Sequence, residues 1–318
     1  MKNTYKAFIG IAALILVLGA CKKQDYTLGD IVAPSNLAIK TVVIGQDAAN
    51  PNGNGSGDVQ ITITADHALS YKVDYGAGSN VNLEYLPTGV KTKKYTTLGT
   101  NTYRITAVAY GKGGTSTVLT KEVTVKSTFE PVAQIVTDLT GNASKTWVVD
   151  KSIAAHMGVG PWNAGSIRPE WWSAGVNEKL VCCPCFYTAT FTFTKVVATN
   201  SYSLTVVTDN AFTKTGALTT LPGIPASGDE GCYPYAGGTS DFAFVPASSG
   251  APLTPSIPAN SPSTQTSIML AGVNTYLGYG ATQKEYEILA VTPTSLYVRV
   301  QGTETGNAWY LKFKVASK

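Results

Sequence analysis

The chain has 318 residues, a formal net charge of +4 and only 14% charged residues. No basic block gathers the positive charge, which argues against a nucleic-acid partner. Gly, Thr, Ser, Val and Tyr dominate, a composition of β-branched strands joined by polar turns, so an all-β fold is expected. In chain order, Lys2 and Lys6 precede an apolar run from Ala7 to Val17 that ends in Leu18-Gly19-Ala20-Cys21. The run is short for a bilayer span, and the small residues before Cys21 suit a processing site. Residues 1–20 therefore read as a lipoprotein signal peptide, with Cys21 as the lipidation site. The rival reading is a buried apolar helix with a chance cysteine. Removing 20 of 318 residues leaves 298, comfortable for two domains. Residues 21–34 are polar and read as a lipidated tether that holds the folded part away from a membrane.

From 35 to 127 the chain alternates apolar and polar residues in short runs at Leu37–Ile39, Val59–Ile63, Tyr71–Tyr75, Tyr103–Val108 and Lys121–Val125. Period two at this spacing, with Gly-rich turns between, predicts a β-sandwich. The stretch Val73-Asp74-Tyr75-Gly76-Ala77-Gly78-Ser79 resembles the Asp-Phe-Gly-Asp-Gly signature of PKD domains. Tyr103 to Gly114 and the strand Val118–Val125 resemble that family's closing strands. The resemblance implies an immunoglobulin-like spacer. Ala77 stands where the signature has its second acidic residue, so no cofactor is assigned and a structural calcium has no support.

Thr128–Pro131 reads as a boundary, and Val132–Leu139 as a short helix or strand. A second unit at 130–318 is expected to be a larger β-sandwich or jelly roll. Its strands are expected at Tyr187–Phe193, Tyr202–Val207, Ile268–Leu270, Glu285–Leu289, Ser295–Val300 and Trp309–Val315. Gly, Pro and Ser crowd the chain from Thr215 to Pro262, which predicts long surface loops there.

Cys182, Cys183, Cys185 and Cys232 are even in number in a chain that reads as exported, where disulfides persist. Three pairings are open, and Cys232 is expected to join one of the other three. Zinc is the alternative, but paired C-x-x-C knuckles are missing and no histidine lies nearby in sequence, so no metal is assigned. Free thiols are the third reading.

All five tryptophans lie in the second unit, and Trp162, Trp171 and Trp172 fall within eleven residues rich in turn formers. Sugars present C–H faces flanked by hydroxyls, so a sugar site needs flat aromatic rings with fixed hydrogen-bonding groups at the rim. Those three rings are candidate ligand contacts, against the plain reading that they pack in a core. Adjacent residues of an extended chain point oppositely, so at least one of Trp171 and Trp172 should be structural. Trp147 and Trp309 alternate with their strands and are expected in the core. Arg168 and Glu170 either pair across Pro169 or line the site. His156 either bonds a ligand or holds its loop.

The segments Thr146–Asp150, His156–Pro161, Glu170–Ala174 and Asn177-Glu178-Lys179 resemble a module of Bacteroidota surface lipoproteins of polysaccharide-utilisation systems, which usually follows PKD-like domains. The resemblance implies glycan binding at the outer-membrane surface, adds Asn177 to the candidates and suggests outer-membrane glycan transport proteins as partners. Cys182-Cys183-Pro184-Cys185 stands where that module has polar and acidic residues.

Enzyme signatures are missing. There is no Glu-x-Asp-x-x-Glu strand, Gly-x-Ser-x-Gly elbow, His-Glu-x-x-His helix or phosphate loop. Glu285 and Glu287 are too close in sequence to flank a glycosidic bond. The expectation is non-catalytic capture of a polysaccharide or oligosaccharide, with a glycoside hydrolase as the alternative and a protein-binding adhesion module as the second. Should the tryptophan loop prove structural, Tyr233, Tyr235, Tyr276 and Tyr279 come next.

Overall fold

The computed structural model describes residues 31–78, 81–251 and 263–317. The expected signal peptide, Cys21 and most of the tether lie outside the described residues. The chain is all-β apart from short helices.

The N-terminal part is a sandwich of two antiparallel sheets. One joins β1 (Ser35–Val43), β2 (Asp58–Asp66) and β5 (Val90–Lys94). The other has the order β4 (Glu84–Tyr85), β3 (Ser70–Asp74), β6 (Gly99–Tyr110) and β7 (Ser116–Ser127). The period-two pattern explains the core: Val59, Ile61 and Ile63 face inward from β2, against Val73, Ile105 and Ala107. Asp74 is buried and accepts the Gly76 N–H at 3.0 Å. Gly76 has φ +66°, and a Cβ there would strike the Arg104 carbonyl oxygen. The signature residues at this position thus hold a tight turn.

The 132–139 run resolves as a helix, α1 (Ala133–Thr140), because Ile135, Val136 and Leu139 share its buried face. It ends at Gly141, which is left-handed at φ 63° and donates its N–H to the Thr137 carbonyl at 2.8 Å.

Eight further strands form a meander: β8 (Ser144–Val149), β11 (Thr190–Val196), β12 (Ser201–Val207), β15 (Gly238–Pro246), β16 (Thr266–Leu270), β17 (Thr282–Val291), β18 (Ser295–Gly302) and β19 (Asn307–Val315). Each pairs antiparallel with the next, and β19 returns to β8 through Phe313↔Val149 and Val315↔Trp147. The sheet therefore closes on itself as a barrel, whose facing walls are the two layers of the expected β-sandwich. Connectivity is up-and-down rather than that of a jelly roll, because successive strands pair directly instead of crossing between sheets. Trp147, Phe191, Phe193, Leu204, Phe242, Ile268, Ile288, Val298, Leu311 and Phe313 fill the interior.

Two smaller pieces complete the wall. β9 (Met157–Pro161) pairs with the first half of β19, and β10 (Trp172–Ser173) edges β9. A hairpin of β13 (Asn210–Thr213) and β14 (Gly231–Pro234) closes one end, which we call the top. It packs Phe212 between Phe186 of α2 (Cys185–Thr188) and Tyr279. The 215–262 stretch is thus more than surface loop. β15 runs through it, because Phe242 and Phe244 alternate inward with Ala243 between them.

Candidate functional site

The tryptophan loop folds back over the outer wall of the barrel, and glycine makes room for it. A Cβ on Gly158 would lie 2.5 Å from Pro169 Cβ, and one on Gly160 would lie 3.0 Å from the Glu170 nitrogen. Beneath the loop, Arg299 is fully buried and pairs with Glu287 across β17 and β18 at 2.6 Å. Its guanidinium also donates to the carbonyls of Asn163, at 2.9 Å, and Ser166. The Ser263 hydroxyl donates to the other Glu287 oxygen, and Tyr310 O–H donates to the Ser166 carbonyl at 2.8 Å. Trp162 lies half-buried against Leu289, Ala308 and Tyr310, with the Arg299 carbon 5.1 Å from its ring centre. A buried ion pair thus clamps the loop, and Trp162 covers it.

Trp171 and Trp172 diverge as an extended chain requires. Trp171 is 59% exposed, although its N–H donates to the Val159 carbonyl at 3.0 Å and so fixes its backbone. Trp172, paired with Val159, packs half-buried against the barrel core. Lys179 Nζ sits 4.9 Å over the Trp172 ring and 3.6 Å from a Glu230 oxygen. Tyr279 O–H donates to Glu230, and the Tyr279 ring lies 4.6 Å from that of Trp309. Burial, then the Glu230 carboxylate, push the Tyr279 phenol far up, so it stays a donor. The top end therefore carries a chain of contacts from Trp172 through Lys179, Glu230 and Tyr279 to Trp309.

The remaining candidates are dispersed. His156 is buried, with Nδ1 2.7 Å from the Ile153 carbonyl and Nε2 2.7 Å from the Tyr187 hydroxyl. Burial lowers its pKa, so the neutral ring donates from Nδ1 and accepts at Nε2. Tyr187 in turn accepts the Lys179 N–H at 3.1 Å, which ties His156 to the turn carrying Lys179. Asn177 is exposed at φ 59° and begins that turn. Arg168 and Glu170 are both exposed, and no ion pair joins them among the described residues. Trp147 is core, its indole N–H donating to the Leu139 carbonyl at 2.9 Å. Cys185 bonds Cys232, as expected of Cys232 and one of the other three, and Cys182 and Cys183 are paired with each other.

Arg299 and Glu230 were not singled out from sequence, and Glu287 and Lys179 were named there without these roles. The one available signal was a charged pair in otherwise apolar strands, Glu287 and Arg299, each flanked by inward-facing residues. At the opposite end of the barrel a cavity of about 410 Å³ opens beside α1, lined by Tyr202, Phe242 and Phe129 and by Tyr103, Lys195 and Asn200. Nothing in the sequence marked it.

No family model matches the chain, and a comparison with curated proteins found no match. Among solved structures, it is similar to the PKD1 domain of the metalloprotease PrtV from Vibrio cholerae, at 20% identity and TM-score 0.22, over 30% of this chain and 100% of that one. The PKD1 domain of Epp from Vibrio anguillarum is similar at 17% identity and TM-score 0.22, over 31% of this chain and 99% of that one. A carbohydrate-binding module of the β-sandwich superfamily is similar at 12% identity and TM-score 0.24, over 90% of this chain and 92% of that one.

Proposed function

We propose that this protein is an outer-membrane lipoprotein, anchored through Cys21 and exposed at the cell surface, that captures a polysaccharide or oligosaccharide without cleaving it and passes it to glycan transport proteins. The observation that carries the reading is Trp171. An indole 59% exposed, on a backbone pinned to β9 and flanked by Arg168 and Glu170, is a preorganised platform of the kind a sugar face stacks on. The adjoining top end adds Trp172 with fixed charged groups at its rim.

The test is retention of the exported protein on a panel of polysaccharide affinity gels, with reducing sugar assayed in parallel. The reading expects retention on at least one glycan and no sugar release. Release of reducing sugar would replace it with the hydrolase, and absence of retention throughout would leave the adhesion module. Cys21→Ala should move the protein out of membrane fractions. If the variant stays bound as firmly as wild type, the anchor is misassigned.

A further inference from the structure

The cavity beside α1 lies where residues 128–131 join the sandwich to the barrel. Phe129 and Glu130 line it together with Lys195, Asn200 and Tyr202 of the β11–β12 hairpin. The sandwich closes its outer side with Leu98 and Tyr103. At about 410 Å³ the cavity falls within the range of small-molecule sites, about 300–1,000 Å³, so a ligand of sugar size has room.

Its lining has two characters. The floor is aromatic: Tyr202 packs on Phe242 and Phe244 with ring centres 5.4 and 5.0 Å apart, and Phe129 sits half-buried against the barrel core. These rings hold one another in place, so they offer flat faces to C–H groups without rearranging. The rim is polar and carries both signs of charge. Lys94 is taken by Asp58 at 2.8 Å, and Lys93 lies 5.2 Å from the Tyr75 ring centre. Lys195, Glu130 and Asp241 form no ion pair among the described residues. A ligand of a single charge would meet like charge there as well as opposite charge. A sugar hydroxyl both accepts and donates, so it answers the cation and the carboxylates alike. Burial, then the Glu130 carboxylate, raise the pKa of the Tyr202 phenol, which therefore stays a donor.

We infer that this cavity is a second glycan site, taking a short stretch of the captured polysaccharide on Tyr202 and Phe129 with Lys195, Asn200 and the Tyr202 hydroxyl bonding its hydroxyls. The inference rests on the glycan-binding reading and adds to it a site separate from Trp171. Trp171 lies towards the top and the cavity at the opposite end, and β19 alone, nine residues long, spans about 30 Å. A polymer can engage both sites at once, whereas a disaccharide fills one at a time. The cavity is the weaker site, because the side chains of Lys195 and Asn200 must be ordered as it fills.

The test compares two probes on the full chain, the polysaccharide that wild type retains on the affinity panel and the disaccharide cut from it. Tyr202→Phe combined with Lys195→Met keeps the ring packing and the lysine stem and removes the polar contacts, so the melting temperature should hold. Affinity for the polysaccharide should fall on the order of tenfold, while disaccharide binding at the Trp171 loop persists. In a Trp171→Ala background the same two changes should abolish the disaccharide binding that remains. Amide hydrogen exchange of residues 129–137 should slow when wild type is saturated with the disaccharide, and that measurement decides alone should the double variant unfold.

Unchanged polysaccharide affinity in the double variant, with Trp171→Ala still weakened, would overturn the cavity site and leave the glycan reading standing. Equal losses for polysaccharide and disaccharide would overturn it too, as would exchange at 129–137 that does not respond to the sugar. Failure of wild type to retain any glycan would overturn both readings together.

Discussion

The N-terminal sandwich and the barrel rest on the same period-two alternation, yet they place their aromatic rings differently. In the sandwich, Tyr75, Tyr95 and Tyr103 are buried, Tyr95 stacks on Tyr103 at 4.0 Å between centroids, and the exposed Tyr85 lies on the edge strand β4 rather than on a loop. In the barrel, one loop between β9 and β10 sends Trp162 onto a buried cation, Trp172 onto the core and Trp171 into solvent. The difference lies in what supports the loop. Beneath it are the Glu287–Arg299 pair and the Gly158 and Gly160 clearances, while the His156–Tyr187 bond and the Cys185–Cys232 bridge hold the neighbouring turn. A closed barrel has no free edges to absorb such an insertion, so the loop is fixed by specific side chains, and a rigid scaffold under a projecting loop is how binding surfaces are commonly built.

The largest effect should come from removing that support. Arg299→Met leaves Glu287 buried without its partner and should cost about 3–5 kcal/mol in urea unfolding of the barrel, with Glu287→Leu added to it recovering most of the loss. If the single variant is as stable as wild type, the pair is no clamp. Next is Cys232→Ala, which opens a bridge spanning a sequence separation of 47. It should cost about 2–4 kcal/mol in the same assay, and an unchanged denaturation midpoint would mean the hairpin is held by packing alone.

On the sandwich side, Ile61→Val should cost about 0.5–1.5 kcal/mol and leave glycan retention untouched. A folded Ile61→Val with weakened retention would make the sandwich part of the binding surface. The smallest effect concerns pH. Burial holds the His156 pKa below its ordinary value of 6.5, so on acidification through 6.5 the unfolded chain takes up a proton that the folded chain does not. Stability should fall from pH 7.5 towards the folded pKa and level off below it, and His156→Gln should flatten that slope in thermal melts. An equal slope in the variant would place the acid sensitivity elsewhere.

Strands with clean alternation were readable from sequence, as were the divergence of Trp171 and Trp172 and the tie from Cys232 to the Cys182–Cys185 cluster. β9 and β15 were not. Gly158, Gly160 and Pro161 imitate a loop, although the glycines are there because Pro169 and Glu170 press on the strand. In β15 a Gly- and Ser-rich approach hides Phe242 and Phe244. The top end was unreadable for another reason. Tyr279 and Glu230 are 49 residues apart, and Lys179 reaches Glu230 only because the hairpin folds over the barrel. Such contacts are set by closure of the sheet, and no local pattern encodes them.

Trp171 decides the central claim. With a glycan identified on the affinity panel, titration of Trp171→Ala beside wild type should give a loss of roughly thirtyfold, matching about 2 kcal/mol for a central aromatic contact, with the melting temperature unchanged. Binding equal to wild type, or a loss accompanied by unfolding, would contradict the account.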